Sequence, residues 1–251
     1  MNILITGHKG YIGSRLFKEL SLKHTVTGID KVEGDDLLFC EFPKQEFDAI
    51  IHLAGLSGVR ESIKDPTAYW MNNIEASRRL FEAYPNTRIL YASSSSAYEP
   101  DLNPYAASKF VLEELASRYP HTLGMRFHTV YSDGCPRENM FFNKLLNGTL
   151  EYVTSHYRDF VHLNDVIDAI KILLLQPRIT DVIDIGTGNP IKIQDLASHL
   201  PVRLNTPGER QFTCADTEKL KLLGWKPKYS VENFLTIQEN DNIINLFNGE
   251  K

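Results

Sequence analysis

The sequence predicts an α/β protein in which a doubly wound parallel sheet carries a smaller, discontinuous C-terminal lobe. Three observations predict it. Short apolar runs alternate with amphipathic stretches through the first half of the chain, a glycine-rich turn follows the first run, and an aspartate closes the second. That alternation is the rhythm of βαβ units, whose strands are covered on both faces and so read as apolar runs.

Strands are expected at Asn2 to Thr6, Thr25 to Ile29, Ala49 to Leu53, Arg88 to Ala92 and Thr122 to Phe127, each too short and too apolar for a surface helix. Helices fill the gaps at Ile12 to Leu22, at Pro66 to Tyr84 with a proline in its first turn, and at Tyr105 to Arg118. After Phe127 the rhythm breaks. Helical pattern returns at Glu138 to Leu146 and Asn164 to Leu175, and strand pattern at Asp181 to Ile185. Residues 1–127 are therefore expected to form the sheet domain, rejoined by the segment around 159–185, with most of 128–251 forming a second lobe.

Composition narrows the function classes. The chain has 251 residues, 42% hydrophobic and 24% charged, with a formal net charge of −5, which offers no basic field for a nucleic acid. No apolar stretch approaches the ~18 residues that span a bilayer, and the first strand begins directly after Met1, so no membrane partner and a cytoplasmic location are expected. Cys40, Cys135 and Cys214 are odd in number and far apart, which suits reduced thiols better than a disulfide framework or a metal site. No metal is expected. Asn147-Gly148-Thr149 reads as a turn closing a helix.

Thr6-Gly7-His8-Lys9-Gly10-Tyr11-Ile12-Gly13 joins the first strand to the first helix, where backbone must approach a pyrophosphate at a helix N-terminus. Asp30 closes the second strand some 20 residues later, placed to accept ribose hydroxyls and to repel a 2'-phosphate. NAD is therefore expected as the cofactor. Lys9, Arg15 and Lys31 are the cations through which NADP would be the alternative.

Tyr105 and Lys109 stand four residues apart at the start of a helix, which places them on one face. A phenol with a reference pKa near 10 becomes a base at neutral pH only if ~4 kcal/mol of differential stabilisation favours phenolate, and two nearby cations can supply that. The serine run after the fourth strand lies at the sheet edge where ligands bind. A hydroxyl there can hydrogen-bond a substrate oxygen while Tyr105 exchanges its proton.

Taken together, the glycine turn at 6–13, His52-Leu53-Ala54-Gly55, Glu61-Ser62, Asp65-Pro66, Asn72-Asn73, the serines before Tyr98, Tyr105 with Lys109, and Arg158-Asp159-Phe160-Val161-His162 carry a resemblance. The chain resembles the extended short-chain dehydrogenase/reductases of Rossmann fold, specifically the nucleotide-sugar epimerase/dehydratase family. The resemblance implies that Tyr105 is the base, that Lys109 also grips the nicotinamide ribose, and that Ser94 is the third catalytic member, with Ser93 or Ser95 as alternatives. It further implies a cofactor site of Gly7, Lys9, Gly10, Tyr11, Ile12, Gly13, Asp30, Leu53, Ala54, Gly55 and Asn73. The implied substrate contacts are Ser94, Ser95, Thr129 and Arg158, the last on a sugar-nucleotide phosphate unless it pairs with Asp159 or Asp165. His52 reads instead as a satisfied core histidine.

Within that family, 4,6-dehydratases place an acid and a base directly after the catalytic hydroxyl, where this chain has Ser95 and Ser96. Epimerase-reductases of GDP-sugars use a Cys where Ser96 stands, although His128 and Cys135 lie nearby in sequence. The reading that remains is NAD-dependent 4-epimerisation of a nucleotide sugar by transient C4 oxidation. Its alternatives are an NAD(P)-dependent reductase or dehydrogenase of a 4-keto sugar or other carbonyl, and a dinucleotide-binding sensor without turnover. A homodimer pairing the helices 66–84 and 105–118 is implied as well. Departures are visible: Glu99 replaces a usual Gly, Thr129 stands where an Asn often contacts substrate, Ser132-Asp133 replaces Gly-Pro, and Thr206-Pro207-Gly208-Glu209 lacks the Arg of Arg-Pro-Gly-Asp. Arg203 or Arg210 would compensate. The short stretch from Asp30 to Ala49 leaves either Glu41-Phe42 or Asp35-Asp36 for the adenine pocket.

Overall fold

The computed structural model describes residues 1–133, 140–176, 179–204 and 206–238. Cys135 and the start of the helix expected from Glu138 lie outside the described residues. The chain runs β1 (Asn2–Thr6), α1 (Tyr11–Ser21), β2 (Thr25–Ile29), β3 (Ala49–His52), α2 (Val59–Lys64), α3 (Pro66–Trp70), α4 (Ala76–Ala83), β4 (Arg88–Ser94), α5 (Pro104–Ala116) and β5 (Thr122–Phe127). It continues through β6 (Thr129–Tyr131), α6 (Phe141–Leu146), β7 (Tyr157–His162), α7 (Leu163–Leu174), β8 (Val182–Ile185) and β9 (Pro190–Lys192).

Six strands form one parallel sheet in the order β2-β1-β3-β4-β5-β8. Side chains alternate across a strand, so each apolar run feeds two cores. Ile3, Ile5, Ile51 and Leu123 pack with Leu16 of α1 and Val166 and Ile170 of α7, while Leu4, Ile50 and Ile89 pack with Leu80 and Phe81 of α4 and Leu112 of α5. Strand order reverses about β1, which lies between β2 and β3, and the crevice beyond the carboxyl ends of these strands is the ligand site of such sheets. The sixth strand, β8, comes from the C-terminal half. A second sheet, β6-β7-β9, packs Tyr131, Phe142 and Phe160 into a separate cluster with Val231 and Phe234.

Two expected elements differ in ways that matter for the site. The single helix expected over 66–84 is α3 and α4 joined by a π-helical turn at Met71–Glu75. Widening the helix there turns Asn73 inward, where it is 1% exposed, and such π turns are frequent at functional sites. The strand expected to end at Ala92 continues to Ser94, so the first two serines belong to β4 and the next two open a 3-10 turn at Ser95–Tyr98.

Under the crevice, a chain of hydrogen bonds fixes the tautomer of His52, which is 1% exposed. Ser77 Oγ donates to the Asn73 carbonyl at 2.7 Å, so at 2.8 Å it accepts from His52 Nε2, and His52 Nδ1 accepts from Thr6 Oγ at 2.6 Å. Both ring nitrogens are satisfied only when the ring is neutral. Burial, helped by Lys109, pushes its pKa down to about 3. Because the unfolded chain gains this proton near pH 6.5 and the fold does not, stability is present in full above 6.5 and falls as pH drops toward 3. The expected slope is ~1.4 kcal/mol per pH unit. Urea unfolding from pH 7 to 4 checks it, with His52→Leu expected to flatten that slope.

Candidate active site

The crevice of about 680 Å³ beyond β1, β2 and β3 is built on the glycine turn. Gly7 has φ +73°, and a Cβ there would come within 2.6 Å of the Ala54 backbone nitrogen. A Cβ on Gly13 would lie 2.1 Å from the Gly7 carbonyl oxygen. No described side chain caps α1 at Gly10, and its first turn holds no acid, so the positive end of its dipole faces the crevice without a carboxylate of its own. Larger residues would fill this turn, whose shape and dipole suit a bound anion such as a pyrophosphate.

Asp30 bridges two turns with its carboxylate, accepting from Lys9 N of the glycine turn at 2.8 Å and from Val32 N of the turn after β2 at 3.0 Å. Each cation that argued for NADP is already paired. Lys9 meets Glu33 at 2.8 Å, Lys31 meets Asp36 at 2.8 Å, and Arg15 meets Glu19 at 3.3 Å. A 2'-phosphate would find neutralised partners beside an uncompensated carboxylate, so the residues fit NAD. Of the two adenine-pocket alternatives, Asp35 and Asp36 line the crevice, whereas Phe42 packs edge-on against Tyr84 at 6.0 Å.

Tyr11, Ile12, Leu53, Ala54 and Gly55 line the crevice with the turn, and Tyr11 donates to Ser132 Oγ at 2.8 Å across to the second lobe. Asn73, expected to line it too, lies behind it, and its neighbour Asn72 takes the lining position. The π turn aims the Asn73 amide at the loop instead: Oδ1 accepts from Leu56 N at 2.7 Å, and Nδ2 donates to Leu56 O at 3.0 Å and Ser108 Oγ at 2.9 Å. Gly55, with φ +155°, is what lets that amide approach, since a Cβ there would sit 2.9 Å from Asn73 Oδ1.

Tyr105 and Lys109, one helical turn apart on α5, both face the crevice. Tyr105 packs edge-on against Tyr69 at 6.0 Å. Lys109 is 5% exposed and donates to the Ala92 carbonyl at 2.8 Å. Burial lowers its pKa to about 8, opposed by the charge of Glu113. Ser94 Oγ accepts from Ser96 N at 3.1 Å, a bond that does not use its own proton. Ser93, in contrast, spends its hydroxyl on the Glu113 carboxylate.

A second cavity of about 550 Å³ opens between the sheet edge and the second lobe, and Ser94 and Thr129 line both cavities. Ser95 and Arg158 line the second. Arg158 does not pair with Asp159 or Asp165. Asp159 accepts from the amides of Thr187, Gly188 and Ala215, and Asp165 from those of Lys228 and Tyr229. Arg158 instead lies 3.9 Å from Glu209, which also holds Arg60 at 2.9 Å. Of the two compensating arginines, Arg210 lines the cavity and donates to the Ser95 carbonyl at 2.6 Å, whereas Arg203 stacks 3.7 Å over Tyr152. Arg60 and Lys144 line it as well and were not anticipated; a cation directly after Gly58 and Val59 at the head of a helix was the available signal for Arg60.

Fold and crevice together define a Rossmann-type dinucleotide-binding enzyme with a hydroxyl, a phenol and an ammonium beside a second cavity lined by arginines, a lysine and two glutamates. The model of the NAD dependent epimerase/dehydratase family matches residues 3–186, and the chain belongs to that family, among the extended short-chain dehydrogenase/reductases; its cofactor is NAD. The chain is 29% identical to the uncharacterised UDP-glucose epimerase YtcB of Bacillus subtilis, with all of both chains covered. Among solved structures it resembles UDP-glucuronic acid 4-epimerase from Bacillus cereus in complex with UDP-glucuronic acid and NAD, with TM-score 0.83 and 28% identity over 98% of this chain and 100% of that one. MoeE5 in complex with UDP-glucose and NAD gives TM-score 0.81 and 27% identity over the same shares.

Proposed function

We propose that this enzyme is a nucleotide-sugar 4-epimerase in which Tyr105 is the base, Ser94 its hydrogen-bonding partner and Lys109 the cation that favours phenolate. The observation that carries this reading is the position of Ser94, at the junction of the dinucleotide crevice and the second, arginine-containing cavity. A sugar held there has its ring within reach of both. NAD, when bound, accepts a hydride and returns it.

Tyr105 would remove the proton of the C4 hydroxyl while Ser94 hydrogen-bonds the same oxygen, and would give the proton back after the ketone has turned its other face. In this reading Thr129 and Ser95 would border the sugar, and Arg158 and Arg210, which line the cavity beside Glu209 and Glu99, would turn to a diphosphate. Ser95 and Ser96 offer no acid and base for eliminating water, so oxidation is followed by reduction. UDP-sugars are the first substrates to try, since similar proteins are described with UDP-glucose and UDP-glucuronic acid.

The test incubates the protein with UDP-glucose, UDP-glucuronic acid and their 4-epimers, following stereochemistry by NMR and reduced nicotinamide by absorbance. Epimer formed without net reduced cofactor is expected. Stoichiometric consumption of cofactor would make the enzyme a reductase or dehydrogenase, and no turnover of either kind would sink the reading. A homodimer belongs to the same proposal: Trp70 on α3 and Phe110 on α5 are 55% and 39% exposed on helices that pack against each other. Light scattering is expected to give twice the chain mass, and Trp70→Glu with Phe110→Glu to halve it.

A further inference from the structure

Glu113 takes no part in the chemistry above, yet it is 7% exposed and follows Tyr105 and Lys109 on α5 at successive intervals of four residues. Its carboxylate is a junction. Ser93 Oγ donates to Oε1, Arg126 Nε donates to the same oxygen at 2.8 Å, and Arg126 Nη2 donates to Oε2. The Arg126 guanidinium lies 4.2 Å over the Tyr98 ring, whose hydroxyl donates to Asp184 at 3.1 Å. One buried carboxylate thus ties together the strand that ends in Ser94, the turn after it, and the helix that bears Tyr105 and Lys109.

We propose that Glu113 is a positioning residue of the reaction, which through Ser93 fixes the strand end presenting the Ser94 hydroxyl and sets a carboxylate one helical turn from Lys109. This rests on the catalytic reading above. Ser93 and Ser94 are consecutive at the end of β4, so the bond that pins Ser93 to α5 also restrains the backbone that carries Ser94. Electrostatics supply the other half. Burial favours neutral Lys109 and Glu113 opposes it. Around this pair stand His52 of β3, held neutral; Tyr91 of β4 and Tyr98 of the next turn, both with pKa raised by burial; Arg126 of β5; and Tyr105 of α5 itself, while Glu114, Asp181, Asp184, Asp216 and Lys219 line the outer cavity that Glu113 and Arg126 share. Removing the Glu113 charge also leaves Arg126 unbalanced. Both changes push Lys109 the same way, toward neutrality.

Glu113→Gln keeps the shape and removes the charge, while Ser93→Ala removes only the link to the strand. Each is expected to lower kcat about tenfold or more, with KM for the UDP-sugar nearly unchanged, because a misplaced hydroxyl weakens the transition state more than the ground state. Glu113→Gln alone is expected to move the alkaline limb of the kcat profile to lower pH, and Glu113→Asp to restore it in part. Unchanged kcat in Ser93→Ala, a Glu113→Gln profile superimposable on wild type, or a loss carried by KM or Tm alone would overturn the proposal. An NMR titration of the Lys109 side chain in the NAD-bound protein separates this proposal from the epimerase reading. A lower midpoint in Glu113→Gln supports the role of Glu113 and an equal midpoint overturns it, whereas wild-type protein inert toward every nucleotide sugar is a failure of the epimerase reading.

Discussion

Tyr105→Phe is expected to lower epimerase turnover by roughly 10²–10⁴-fold, the range that a positioned acid–base group supplies. Phenylalanine keeps the ring and its edge-on packing at 6.0 Å against Tyr69, so the variant is expected to fold and to hold NAD as the wild type does. Ser94 is no substitute. Its oxygen already accepts from Ser96 N, and a serine hydroxyl is a far weaker acid than a phenol. Because Ser94 and Tyr105 serve one proton transfer, Ser94→Ala added to Tyr105→Phe is expected to cost much less than the sum of the two single losses. Single-turnover NMR of the product epimer measures this, with circular dichroism and NAD calorimetry reporting fold and cofactor. Undiminished turnover would remove Tyr105 from the base position, and loss of NAD binding would show that the hydroxyl acts in holding the cofactor and not in proton transfer.

What the sequence made readable, and what it hid, divides by how local the cause is. The buried strands, the glycine turn and Asp30 could be placed because apolar runs, short-range steric demands and a fixed spacing produce them. Lys9, Arg15 and Lys31 were legible as charges but not as pairs, since Glu33, Asp36 and Glu19 close on them only when the loops fold. For Arg158 the nearest acids in sequence were misleading: Asp159 follows it on β7 and points to the other face, toward the amides of Thr187 and Gly188. Glu209, its partner, is some fifty residues away. Asn73 was read as a cofactor residue, but its place against the loop at Leu56 was hidden, because it depends on a π turn that no helical periodicity announces.

Gly13→Ala is expected to cost about 1–3 kcal/mol of stability and most of the affinity for NAD, although alanine is the better helix former. The reason is what the methyl would meet. At 2.1 Å from Gly7 O and 2.9 Å from Gly7 C and His8 Cα, every nearest atom is backbone, so no rotamer change relieves the clash and the turn itself has to open. Opening it moves Gly7, whose own position against Ala54 leaves no slack, and with it the first amides of α1 that would meet the pyrophosphate. Gly10 supplies the control within the same turn: a Cβ there meets only Gly7 O, at 3.1 Å, so Gly10→Ala is expected to be the milder change. Thermal unfolding and NAD calorimetry on both variants give the order. Equal losses at the two positions, or none at Gly13, would mean that the turn yields under strain and that close approach of helix and strand is not what the third glycine provides.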